Sequence, residues 1–167
     1  MTIHISPLTP VDIEAVSTLA RIVWQDAYPG IITQAQIDFM LEDRYNRTRL
    51  LAELDNPGIA WDKATLDGDL AAFASTLLTS NPAEMKLDKL YVDPLRQRFG
   101  LGGRLIAHVS ERALAQGCNT LVLAVNKRNE RAIAAYRKHG FVVREAVRVD
   151  IGHDFIMDDF IMAKLLR

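Results

Sequence analysis

Gln97-Arg98-Phe99-Gly100-Leu101-Gly102-Gly103 joins two segments of different character. Ahead of it, Lys86-Leu87-Asp88-Lys89-Leu90-Tyr91-Val92 alternates apolar and polar residues, as a half-buried strand does, and stops at Asp93-Pro94. Behind it, Arg104-Leu105-Ile106-Ala107-His108-Val109 opens an amphipathic helix. The stretch therefore reads as a glycine-rich turn from a strand into a helix N-terminus. Three glycines give it backbone freedom and leave N–H groups uncovered, and the helix end adds partial positive charge. Such a turn suits an anion, with a pyrophosphate as the best fit; an ordinary tight turn is the plain alternative. The spacing is not that of a dinucleotide-binding turn, which needs G-x-G-x-x-G, nor of a Walker loop, which needs Gly-Lys-Ser/Thr.

A second motif follows. Thr120-Leu121-Val122-Leu123-Ala124-Val125 is a short apolar run rich in branched residues, expected as a buried strand. Asn126-Lys127-Arg128-Asn129 interrupts it, and a helix from Glu130 to His139 carries Ile133, Tyr136 and Arg137 at helical spacing. Gly140 stands where a helix C-terminus is expected, and Phe141-Val142-Val143 starts another strand.

Gln97-x-x-Gly100-x-Gly102, followed by Asn126-x-x-Asn129-x-x-Ala132-x-x-x-Tyr136-x-x-x-Gly140-Phe141, resembles the cofactor-binding half of the GNAT superfamily of N-acetyltransferases. The resemblance is strong over residues 84 to 143 and weaker outside. It implies a mixed α/β (α+β) fold with about seven strands in a twisted, mostly antiparallel sheet flanked by helices. It also implies a V-shaped cleft where the central strand splays from its parallel neighbour. Acetyl-CoA is the implied co-substrate, with no metal.

Bulk composition agrees with one globular domain over residues 1–167. Of the residues, 49% are hydrophobic and 25% charged, and the net charge is −1. With no basic block, a nucleic-acid partner is not expected. No membrane span or signal peptide is read, and Cys118 is the only cysteine, so a cytoplasmic protein is expected. Outside the motifs, Ile3–Ser6 reads as a strand. Thr9-Pro10 starts a first helix bearing Ile13, Val16, Leu19, Val23 and Trp24. Thr33, with Gln36 as capping-box partner, starts a second helix, and a further helical piece holds Leu50, Leu51 and Leu54. Strands are expected at 59–66, 70–78 and 85–92, with Asp67-Gly68 as a tight hairpin turn. The helix from Leu101 is expected to bury Leu105, Val109 and Leu114, and a last strand runs from Phe155 to Leu165.

The resemblance gives the individual residues roles. The backbone of Leu90, Tyr91 and Val92 would pair with the pantetheine arm as with an added strand. Gln97, Arg98, Gly100, Gly102 and Gly103 would hold the pyrophosphate, with Phe99 against the adenine or the following helix. Asn129 would contact the pantetheine; its plain alternative is a helix N-cap. Tyr136 is the expected proton donor to the departing thiolate, against the alternative of an aromatic core residue. Lys86 stands where many relatives carry a catalytic glutamate, so Asp88 becomes the candidate base and Glu84 a neighbour on the acceptor side. Asp150, Asp154, Asp158 and Asp159 crowd the C-terminal hairpin. As a carboxylate-lined mouth, with Asp158 in contact, they would favour a cationic amine; as a solvated turn they would do nothing. Trp24, Tyr28 and Tyr45 could form an aromatic wall of the acceptor pocket. The activity implied is transfer of acetyl to a primary amine of a small molecule or peptide in a ternary complex. A protein N-terminal acetyltransferase and a non-catalytic CoA-binding module are the alternatives. Family relatives often pair through the C-terminal strands, so a homodimer is expected.

Overall fold

The computed structural model describes residues 1–167. Strand β1 (Ile3–Pro7) leads through a short 3-10 turn into α1 (Ile13–Ala27), α2 (Gln34–Tyr45) and α3 (Arg47–Asp55). Three strands follow, β2 (Ile59–Leu66), β3 (Asp69–Leu78) and β4 (Glu84–Val92). A 3-10 segment, Pro94–Phe99, then leads to α4 (Leu101–Ala115), β5 (Thr120–Asn126), α5 (Glu130–Lys138), β6 (Val142–Gly152) and β7 (Phe155–Leu165). All seven strands form one sheet in the order β1-β2-β3-β4-β5-β7-β6. Every pairing is antiparallel except β4 with β5.

The sheet carries a core on each face. On one, α4 and the α5 side pack Leu87, Leu101, Leu105, Val109, Leu121, Leu123, Phe141 and Met162. On the other, α1, α2 and α3 pack Trp24, Ile37, Tyr45, Leu50, Trp61 and Phe73. In α4 the inward stripe runs Leu101, Leu105, Ile106, Val109, Ala113, whereas Leu114, expected inward, is 40% exposed. The i+4 step from Val109 puts Ala113, not Leu114, against the sheet.

Local signals set the element boundaries. Asp67 and Gly68 both have positive φ, 51° and 90°, as a two-residue hairpin turn requires. The Thr33 hydroxyl accepts the Gln36 N–H and caps α2, but the Gln36 side chain does not complete a capping box. It donates instead to the Ile156 carbonyl (3.1 Å), tying α2 to β7. Strand β6 forms the outer edge of the sheet, with Val142, Val143 and Val149 exposed. No helix is long and apolar enough to cross a membrane.

The strand alternation breaks at one place. Leu87 lies opposite Thr76 and Lys89 opposite Ser75, so Asp88 is an extra residue with no partner on β3. This bulge reverses the faces. Met85 and Leu87 join the α4-side core, while Lys89, which a regular strand would place with them, turns toward α3 and Tyr91 toward α1. Lys89 is 1% exposed; its ammonium lies over the Trp61 ring (5.1 Å), 2.7 Å from Asp88 and 4.0 Å from Glu53. Burial alone raises the Asp88 carboxyl, but Lys89, Arg44 (3.3 Å) and Lys86 (3.6 Å) outweigh it and hold the group at about 2.

Asp88→Ala is expected to leave the Lys89 ammonium underpaired in the interior and to destabilise the fold by about 3 kcal/mol. Urea denaturation at neutral pH checks this. Because the folded carboxyl titrates below its unfolded value, its contribution is complete above about pH 4 and is lost as pH falls toward 2. The acid-stability curve of Asp88→Ala should be correspondingly flatter in that window.

Candidate active site

The parallel pairing of β4 with β5 lasts three residue pairs, Glu84–Thr120, Met85–Leu121 and Lys86–Val122. Beyond Lys86 the strands diverge, although β4 stays paired to β3 as far as Val92 and β5 to β7 as far as Asn126. Each strand thus turns an unpaired backbone edge toward the other. Buried N–H and C=O groups need partners, so such an edge is a template for an extended ligand. The gap opens into a cleft of about 570 Å³. Leu87, Asp88, Leu90, Tyr91 and Val92 line one wall, and Leu123, Ala124 and Val125 the other.

Two helix N-termini meet at the mouth. Gly100 caps α4 with φ 71°, the one residue of the glycine turn that needs a left-handed backbone. Gly102 has no such requirement and is already in the first turn. The first intrahelical bond runs from the Arg104 N–H to the Gly100 carbonyl (3.1 Å). The N–H groups of Leu101, Gly102 and Gly103 therefore have no intrahelical acceptor and suit an anion. Gly103 also permits close approach of α5, since a Cβ there would lie 2.8 Å from Cε1 of His139. At α5, the Asn129 side chain accepts the Ala132 N–H (3.2 Å) and also lines the cleft, so cap and cleft residue coincide.

The Tyr136 ring packs edge-on against Phe141 (5.6 Å) and lines the cleft, and no protein group bonds its hydroxyl. Burial pushes this phenol well above its usual value, with a small contribution from Tyr28, so it stays protonated at neutral pH. Tyr28, at the end of α1, stands across the cleft with its hydroxyl 3.2 Å from that of Tyr91. Gln97 is also on the cleft and accepts a hydrogen bond from Arg131, which reaches Asp26 on its other side (3.9 Å). Arg128 donates to the carbonyls of Gly30 (2.6 Å) and Ile31 (2.9 Å), strapping the α1–α2 turn across the mouth.

Several expected residues lie elsewhere. Arg98 stacks on Phe99 (4.6 Å) and Phe99 packs against the α4-side core; neither lines the cleft. Trp24 is 1% exposed and supports Tyr28 from behind (4.4 Å), and Tyr45 is likewise core. Glu84 sits at the closed end of the gap, paired with Arg144, because the strands are still bonded there. Asp158 points to the opposite face of β7 from Asp159 and pairs with Lys127 (2.7 Å). Asp88 does line the cleft, but a carboxyl held at about 2 by three cations is a weak base. Cys118 is buried, 3.6 Å from the Pro82 carbonyl, and away from the cleft. The sequence reading missed Asp26, Ile31, Arg128, Arg131 and His139, which line the cleft from outside the core motifs or from their unspecified positions. The basic residues in Lys127-Arg128 and at Arg131, beside the motif asparagines, were the available signal.

The acetyltransferase (GNAT) family profile matches residues 18–141. The chain is 28% identical over 162 residues to a spermidine N(1)-acetyltransferase of Thermoplasma acidophilum, covering 95% of this chain and 97% of that one. It is 40% identical over 77 residues to the [ribosomal protein bS18]-alanine N-acetyltransferase of Escherichia coli, 46% of this chain and 51% of that one. Among solved structures it superposes on the PaiA N-acetyltransferase of Thermoplasma acidophilum in complex with coenzyme A. The TM-score is 0.86 at 26% identity, over 99% of both chains. With the splayed strands, the glycine turn and the Asn129–Tyr136 helix in one cleft, the chain belongs to the GNAT family and is an N-acetyltransferase that uses acetyl-CoA.

Proposed function

We propose that the acceptor is a primary amine of a small aliphatic polyamine, of the spermidine class, acetylated by direct attack on acetyl-CoA in a ternary complex. The observation that carries this reading is the likeness to the spermidine acetyltransferase across 95% of the chain. Such a match takes in the end of α1 and the turn after it, whose Asp26, Tyr28 and Ile31 line the cleft, as well as β7. A match of 77 residues, as with the bS18-alanine enzyme, cannot reach from α1 to β7.

In this reading the pantetheine arm adds as a strand to the exposed edge of Leu90, Tyr91 and Val92. The N–H groups at Leu101–Gly103 take the pyrophosphate, and Gln97 and Asn129 flank the arm. The neutral amine attacks the thioester carbonyl carbon, the C–S bond breaks, and Tyr136 donates its proton to the departing sulfur. The proton left on the new amide nitrogen restores the phenol. Buried Cys118 has no access to the acyl group, which supports direct transfer over an acyl-cysteine intermediate.

A thiol-release assay with spermidine, an aminoglycoside and an alanine-terminated peptide tests the acceptor class; the highest kcat/KM should fall to spermidine. Highest turnover of the peptide would move the assignment to a protein N-terminus, and CoA binding without turnover of any amine to a non-catalytic module.

Tyr136→Phe keeps the ring packing and is expected to lower kcat by about 10²–10⁴-fold with little change in KM for acetyl-CoA. A near-wild-type kcat, where chemistry limits the rate, would remove Tyr136 from the reaction.

Gly103→Ala is expected to displace the exposed His139 ring, which lines the cleft, and to weaken CoA binding in calorimetry only as far as that ring is pushed into the cofactor path. Adding His139→Ala should restore much of the affinity. Equal affinity of all three proteins would show that the α4–α5 approach does not shape the cofactor path.

A further inference from the structure

Four acidic residues are buried outright in this protein: Glu53, Asp62, Asp93 and Asp159. Three have a charged partner. Glu53 accepts from Arg49 (3.0 Å) and from the Trp61 indole (3.0 Å), Asp62 from Arg112 (2.7 Å), and Asp93 from Arg96 (2.7 Å). Asp159 is 5% exposed, forms no ion pair, and its Oδ1 is buried with no donor. A carboxylate left so is costly and calls for a reason beyond folding.

Its place in the sheet supplies the reason. Asp159 lies opposite Asn126, and Ala124 opposite Ile161. Met157 packs on the α1–α2 side and Met162 on the other, so Asp159 faces α1 and α2. Ala124 is exposed to the cleft and belongs to that same face, one strand over and two residues along from Asp159. Diagonal neighbours of this kind stand about 7–8 Å apart. Asp159 itself does not line the cleft; the cleft residue beside it on that face is Ala124, whose side chain is only a methyl group, so a proton passes between cleft and carboxylate through a bridging water. The Tyr28 hydroxyl, on the cleft's other side, feels the charge of Asp159.

We propose that Asp159, rather than Asp88, takes the proton that the acceptor ammonium must lose before attack. The N–H bond of the ammonium breaks as its proton passes to the bridging water, that water gives a proton to the carboxylate to form an O–H bond, and the freed lone pair attacks the thioester carbon. Asp159 later releases that proton to solvent. This assignment rests on the reading of the protein as an amine acetyltransferase.

The surroundings suit the task. Burial raises the Asp159 carboxyl and Asp158 on its own strand adds to this, while Arg44 on α2, Lys86 on β4 and Lys127 after β5 oppose it. Those cations are engaged elsewhere, Arg44 and Lys86 with Asp88 and Lys127 with Asp158. The result is a carboxyl raised above its usual value, a better proton acceptor than Asp88.

The test is Asp159→Asn, assayed with spermidine across pH beside wild type, with CoA affinity measured by calorimetry. Wild-type kcat/KM should rise with pH through an acid limb above the ordinary aspartate range. The variant should bind CoA as wild type does, lose about 100-fold or more in kcat/KM at pH 7, and lose that limb. Thermal unfolding gives a second readout. A raised carboxyl binds protons in the native state more tightly than in the unfolded state, so wild-type stability falls as pH rises through the gap between the two values. The variant should therefore be at least as stable as wild type at pH 7. A variant with the wild-type profile, or one less stable than wild type at pH 7, overturns the assignment of Asp159 while wild-type turnover leaves the functional reading standing. A wild-type protein that turns over no amine overturns both.

Discussion

The early end of the β4–β5 pairing is the constraint on which the rest of the site depends. Two parallel strands that stayed bonded to their tips would leave no edge to present. Here three residue pairs hold the strands together and each then follows its antiparallel neighbour, β4 following β3 and β5 following β7. Both outer partners are retained, so the divergence leaves only the two facing edges without strand partners. The helices that follow these strands, α4 and α5, both start at the mouth of the gap, and their uncapped N–H groups converge on it.

The bulge at Asp88 sits where the divergence begins, and it decides the chemistry of the walls. By reversing the alternation it gives Leu90 and Val92 to the α4-side core, and turns Lys89 and Tyr91 toward α1 and α3. The Asp88 carboxylate is the counter-ion for the buried Lys89 and for Arg44. A group so heavily paired is fixed in its charged form. As proposed, proton acceptance falls to Asp159, a carboxylate in no ion pair. That contrast, between a depressed and a raised aspartate on one side of one sheet, is the kind of separation by which a site divides its labour.

The cofactor half was legible in the sequence because its function is carried by backbone geometry. Gly100 is required at a positive φ, Asn129 is required as a cap, and Gly140, at φ 93°, is required after α5, so each leaves its mark at a fixed position. Tyr136 was legible through its fixed distance from that glycine. The acceptor half has no such rule. Trp24, Glu84 and Asp158 were reasonable candidates by residue type, yet Trp24 is sealed in the core, Glu84 lies where the strands are still joined, and Asp158 faces the wrong side of β7.

The sequence by itself determined the order of the elements, the turn that receives an anion, and the membership of the family, since each follows from short-range spacing and local backbone preference. Only the tertiary structure decided which carboxylate stays unpaired. Asp88 and Asp159 are 71 positions apart and chemically identical. Their difference arises from Lys89, Arg44 and Lys86 crowding one, and from burial and the nearby Asp158 at the other. Charge pairing and burial are properties of neighbours in space, and a one-residue bulge is enough to reassign them.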